Sequence, residues 1–188
     1  MVALPLLLLL AAAPGEPAAG AAGTWTVADG STIDYHLIHK FHAVEGVARA
    51  VEGKARLGPD GSLQVQVRAP IAAFDSGNSN RDAHMMEVTE AARFPFVAVK
   101  GVAEGVRVDA FPGTVEVPLR GAIDFHGVSR ALDVTARVRF ASPGQAEVEA
   151  TFPVSLTAHG VERPSLLFVK VDDRLEIVAR LALVRAGP

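Results

Sequence analysis

Residues 115–125 read VEVPLRGAIDF. The apolar side chains Val115, Val117, Leu119, Ile123 and Phe125 alternate with Glu116, Arg120 and Asp124, a period of two that sends one set to each face of an extended strand. One face is dry and the other wet. The same alternation runs through Leu63–Ala69, Leu132–Phe140, Val148–Leu156 and Leu175–Leu183, and Pro59-Asp60-Gly61, Pro112-Gly113, Pro143-Gly144 and Asp172-Asp173 separate the runs as turns. Short strands joined by tight turns predict antiparallel pairing. Eight to ten such strands are too many for an open sheet with a single covered face, so the sheet must close into a barrel or fold into a sandwich. The sequence predicts an all-β fold with one short helix, built as an antiparallel barrel of about eight strands.

The alternation stops at one place, Phe74 to Phe96, FDSGNSNRDAHMMEVTEAARFPF. Asp75-Ser76-Gly77-Asn78 has the composition of an Asx-type turn, with Gly77 suited to positive φ. A helix is expected from about Arg81 to Ala92, with Asn78, Ser79 or Asn80 as its N-cap and Asp82 in the first turn, stopping before Phe94-Pro95. Its Met85, Met86 and Val88 offer an apolar side to cover one mouth of the barrel, while Glu87 and Glu90 stay in water.

Composition bounds the function. The 188 residues are 49% hydrophobic and 21% charged, enough for one domain with a real core. With 18 basic and 21 acidic side chains the net charge is -3, which leaves no electrostatic footprint for nucleic acid. The absence of cysteine removes disulfides, thiolate metal sites and a lipoprotein anchor. Val2 to Ala13 is an apolar run too short to span a bilayer, and Ala/Gly-rich sequence follows it. Residues 1–23 therefore read as a signal peptide without a basic start, cut between Ala13 and Thr24, leaving residues 24–188 as a periplasmic or secreted domain with no stable membrane anchor.

Three motifs carry a family resemblance. Phe74-Asp75-Ser76-Gly77-Asn78 with Arg81-Asp82-Ala83-His84-Met85 resembles the D-T-G-N...R-D-A-H-L signature of the YceI-like family of exported lipid-binding proteins. Phe125-His126-Gly127-Val128-Ser129-Arg130 resembles the family's hydrophobic-x-G-V-T-R/K element, and Phe152-Pro153-Val154-Ser155-Leu156, Gly160-Val161-Glu162 and Pro164-Ser165-Leu166 resemble its closing strands. The resemblance spans roughly Thr24 to Val184. It implies a lipocalin-like barrel with a helix, holding a long isoprenoid or other fatty amphiphile in its lumen. The chain departs from the pattern at Ala158-His159-Gly160, where relatives often carry an aromatic or Asp-Phe-Gly element, and at Gly30-Ser31, where a His precedes the Ser. Head-group recognition is therefore not carried over from the family.

The residues make a parallel case for a ligand. An eight-stranded barrel is just wide enough to be filled by its own side chains or to hold one small ligand, according to the size of the inward residues. Here aromatics are only 6% and the inward positions are mostly Val, Leu and Ala. Each buried methylene contributes about 0.8 kcal/mol, so ten of them reach roughly the scale of a micromolar complex before ordering costs are subtracted. The candidate ligand-binding residues are Phe74, Asp75, Asn78, Arg81, Asp82 and His84 from the polar stretch and Val117, Leu119, Phe125, Val138, Phe152 and Val154 from the inward faces. Two other readings stand beside this one: an enzyme using Asp82 and His84 on a hydrophobic substrate, and a structural module with a filled core. No nucleophile with a paired base stands out, so no catalytic residue is assigned and no cofactor is expected. His36, His39 and His42 invite a metal, but in a single strand 36 and 42 take one face and 39 the other, so no metal site is assigned. The expected product is a monomer or weak homodimer.

Overall fold

The computed structural model describes residues 20–39, 42–163, 165–166 and 169–187, so the expected leader lies outside the described residues up to position 19. Among the described residues thirteen strands and one α-helix follow in the order β1 (Gly23–Val27), β2 (Thr32–His39), β3 (His42–Ala48), β4 (Glu52–Leu57), β5 (Leu63–Pro70), β6 (Phe74–Asp75), α1 (Ser79–Val88), β7 (Phe96–Ala103), β8 (Gly113–Phe125), β9 (Val128–Ser142), β10 (Gln145–Ser155), β11 (Ser165–Leu166), β12 (Val169–Lys170) and β13 (Arg174–Arg185). Short 3-10 turns occupy Ile71–Ala73 and Thr157–His159. Among the described residues no helix is long and apolar enough to cross a membrane.

The sheet closes. Antiparallel neighbours run β1-β4-β5-β7-β8-β9-β10-β13, and β13 returns to β1, giving a barrel of eight strands. Strands β2 and β3 prolong β1 and β4 after a break. β13 pairs with β1 through Leu183–Arg185 and with β2 through Leu175–Arg180. Ser31 spans the break between β1 and β2, its Oγ donating to the Ala28 carbonyl at 2.7 Å and accepting from the Ala182 N–H at 3.0 Å. The longest ladder, β8 with β9, keeps register from Gly113↔Phe140 to Phe125↔Val128. Its connection is the two-residue turn His126-Gly127, both at positive φ (51° and 72°), the geometry whose twist matches that of the flanking strands.

Two strands approach closely where side chains are missing. Gly101 faces Gly121 in the β7–β8 register, and a Cβ on Gly121 would lie 1.9 Å from the Lys100 carbonyl oxygen. No other residue tolerates that approach.

The helix begins two residues before the sequence suggests and ends four earlier. Asn78 is its N-cap, the side-chain oxygen accepting from the Asn80 and Arg81 N–H groups at 3.1 and 3.2 Å. At the other end Thr89 turns its hydroxyl back onto the Met85 carbonyl at 2.7 Å, and Glu90 adopts φ 46°. A left-handed residue ends an α-helix whatever the propensity of Ala91 and Ala92 beyond it.

The interior has two unlike halves. At the end formed by the start of β8 and the β4–β5 and β9–β10 turns, Trp25, Leu57, Val108, Val117, Val138 and Phe140 pack as a solid plug. Trp25 and Phe140 meet edge to face at 5.6 Å, Phe111 backs Phe140 at 6.3 Å, and the indole N–H donates to the Ala21 carbonyl at 3.0 Å. The opposite end, beneath α1 and the Thr157–His159 turn, is looser.

Candidate functional site

The looser half is hollow. A cavity of about 630 Å³ runs along the barrel axis, within the range typical of small-molecule sites. Ala55, Ala136, Ala150 and Ala179 line it, and β10 and β13 set Ala150 directly opposite Ala179. Small inward side chains at these positions leave the space that Trp25 and Phe140 fill in the plug. Around the alanines stand Ile33, Leu37, Val44, Val65, Val99, Leu119, Phe125, Val134, Phe152, Val154, Leu175 and Ile177. The lining is mostly hydrocarbon, with Lys54 and Arg68 in the β4–β5 wall and a polar group of residues at one end.

That end is built by the segment 74–89. Asn78, Asn80, Arg81, His84, Met85, Val88 and Thr89 all reach the cavity, because positions 81, 84, 85 and 88 recur on one face of α1. Met86 is rotated off that face and stays 37% exposed, so of the three apolar helix residues expected to cover the mouth only Met85 and Val88 do so. Phe74 is buried and also lines the cavity, tilted against Tyr35 at 5.8 Å.

The other motif residues hold this segment in shape. Asp75 accepts from the Gly77 N–H at 2.7 Å, and Gly77 takes φ 73°, closing an Asx turn. Asp82 accepts from the Ser76 N–H at 3.1 Å and the Ser76 hydroxyl at 2.6 Å, tying the helix to the end of β6. Neither carboxylate reaches the cavity. His84 is more than half exposed, with Nδ1 3.5 Å from Glu87. Arg81 enters none of the ion pairs among the described residues, and its guanidinium stands at the mouth. The inward residues divide the same way: Leu119, Phe125, Phe152 and Val154 line the cavity, whereas Val117 and Val138 are packed in the plug below it.

Tyr35, which the sequence reading passed over, belongs to this site. It lines the cavity from β2 and lies across Gly46 of β3, where a Cβ would sit 2.4 Å from the ring, so a side chain at 46 would evict the phenol. The alternation Ile33, Tyr35, Leu37 was the available signal. Burial holds its pKa above the ordinary 10.0 and the Asp82 carboxylate adds to the rise, while the Arg81 guanidinium and a hydrogen bond with Ser76 oppose it. A raised acid pKa means the native state keeps its full stability below the unfolded value and loses it as pH climbs towards the native one. Because Tyr35 is the only tyrosine, its ultraviolet titration is expected to come at higher pH in native protein than in urea. Coincident titrations would place the phenol in water.

Two further histidines fasten the rim. His126 Nδ1 lies 3.0 Å from the His159 carbonyl oxygen and its Nε2 3.4 Å from Glu90, while His159 Nδ1 meets the Ser155 carbonyl oxygen at 2.9 Å. The β8–β9 turn, the Thr157–His159 turn and the segment after α1 are thereby joined. Among the three histidines near the β2–β3 connection, the register pairs His39 with His42, and His36 stands 3.1 Å from Glu45. The hairpin turn, absent from a single-strand reading, makes His39 and His42 register partners on adjacent strands. Among the described residues no cluster of His, Asp or Glu is arranged to hold a metal.

The comparisons agree with this architecture. The family profile described as the YceI-like domain matches residues 25–183. Solved structures of similar fold include a polyisoprenoid binding domain from Saccharophagus degradans implicated in plant cell wall breakdown, at TM-score 0.72 and 14% identity, covering 86% of this chain and 98% of that one. BcnA of Burkholderia cenocepacia gives TM-score 0.67 at 15% identity over 81% and 95% of the two chains. The YceI protein of Campylobacter jejuni gives 0.62 at 12% over 80% and 90%. No curated protein matches. At these identities the structures speak for the fold alone.

Proposed function

The chain belongs to the YceI-like family, and on that premise we propose that it binds a long-chain isoprenoid or fatty amphiphile in the barrel lumen, tail inward and head at the α1 mouth. The observation that carries this is the cavity of about 630 Å³, lined mostly by aliphatic and aromatic side chains, with Asn78, Asn80, Arg81 and His84 at one end. The polyisoprenoid-binding neighbour supports the ligand class. A chain that enters an apolar lumen gains about 0.8 kcal/mol per methylene without any special residue. The carboxylate a catalytic reading would need, Asp82, is instead occupied by Ser76. The apolar leader and the family together favour export to the periplasm or medium, with a mature N-terminus between Pro14 and Gly20, ahead of the plug residue Ala21, and the domain acting as a monomer or weak dimer.

Native mass spectrometry of protein purified from its own host tests the reading. A bound lipid is the expected result, and an empty barrel that also refuses added isoprenoid and fatty chains counts against it. The mouth residues carry a separate expectation. Arg81→Ala should weaken a lipid with a phosphate head while sparing the matched neutral lipid, because the guanidinium has a charge partner only in the first case. Asp82→Asn should cost about 1 kcal/mol of stability through the loosened tie between helix and strand, and leave chain binding in place. Affinities for the matched pair of lipids and thermal melts of both variants decide the point. Equal losses for the two lipids in Arg81→Ala would remove Arg81 from head-group recognition.

A further inference from the structure

Four side chains belong to both halves of the barrel. Ala55, Leu119, Val148 and Leu183 line the cavity and also pack against the plug. They are the cavity floor. Trp25 is the register partner of Ala55, so the indole stands on the inward face beside the smallest of the four. Trp25 is only 2% exposed, and its contacts with Phe140 and Ala21 leave it no room to swing aside. Close-packed interiors yield poorly to added volume, so this floor is a fixed stop. At its deep end the cavity meets these four side chains and the plug behind them, with Lys54 in the wall beside Ala55.

Resting on the binding reading above, we propose that this floor measures the ligand: the barrel takes single-tailed amphiphiles and discriminates among them by the length of chain that fits between the α1 mouth and Ala55, Leu119, Val148 and Leu183. Each methylene added above the floor raises affinity about fourfold. A methylene beyond that length must stay in the mouth or compress the plug, and it adds nothing. Affinity plotted against chain length therefore has a break, and the four floor residues set where it falls. Ala55 is the most informative of them, since its small side chain leaves open space above the Trp25 ring.

The test is a homologous series of straight-chain fatty alcohols from decanol to docosanol, measured by displacement of a fluorescent fatty acid, with thermal melts of each variant. The native protein is expected to gain about fourfold per methylene up to a break and then level. Ala55→Leu raises the floor by a branched alkyl group and should move the break about two or three methylenes towards shorter chains. Leu119→Ala lowers the floor and should move it the other way, whereas Arg137→Glu on the outer wall should leave it in place. Ala55→Leu adds carbon to open space and so decides the matter should Leu119→Ala fail to fold. Length-dependent binding with the break unmoved in Ala55→Leu overturns the measuring floor and leaves the binding reading standing. No saturable binding by any alcohol overturns both.

Discussion

Val117→Asp is expected to unfold the barrel or cost it roughly 4 kcal/mol or more, the range reached when an unpaired charge is buried. Val117 is 2% exposed and packed in the plug with Trp25, Val138 and Phe140, and no Lys or Arg is among the buried residues described. Neutralising the new carboxyl would still leave its polar atoms without partners. Arg137→Glu lies on the same ladder, one register step away, opposite Glu116 and Glu149. It is exposed, so the repulsion it creates is screened and should cost about 1 kcal/mol or less. Urea denaturation of the two variants measures the contrast. Similar midpoints would mean that the inward and outward faces of β8 and β9 have been assigned the wrong way round.

The second large effect concerns the lumen. Ala150→Phe is expected to reduce affinity for a long-chain amphiphile at least about a hundredfold, the worth of three to four methylenes. Ala150 faces Ala179 across β10 and β13, and both line the cavity, so a benzyl group there occupies the space a ligand chain takes. The ligand-free protein should be no less stable, and up to about 1 kcal/mol more so, since the new ring buries itself in space already present. Binding and melting of the same preparation separate this from a folding defect. Unchanged affinity with unchanged stability would show that the chain does not pass Ala150.

Much of the barrel wall was legible from residue pattern. The runs at Leu63–Ala69, Leu132–Phe140, Val148–Leu156 and Leu175–Leu183 fall within β5, β9, β10 and β13 to within a residue or two, because alternation is enforced wherever one face meets the core and the other water. The Asx turn at Asp75 and the Asn78 cap were legible for a similar reason. Each is made by a side chain bonding to backbone two or three residues away, so the chemistry is contained in the local string.

Which inward residues meet a ligand and which meet each other is a different kind of question. Val117 and Leu119 are two residues apart on the same face of β8, yet one is locked in the plug and the other looks into the cavity. Nothing in VEVPL distinguishes them. The distinction arises from what five other strands bring to each level, Trp25, Phe140 and Leu57 at one height and Ala150 and Ala179 at another. Tyr35 enters the site by the same route, since its neighbours Phe74 and Gly46 come from other strands. His39 and His42 likewise become register partners only through a hairpin.

The sequence by itself determined that the chain is an antiparallel barrel with one helix, because strand period, turns and caps are written within a few residues of one another. Only the tertiary structure decided that the lumen is half plug and half cavity and that Arg81 stands at its mouth. Packing volume is summed across the barrel at each level, between residues more than a hundred positions apart, and no local pattern carries that sum.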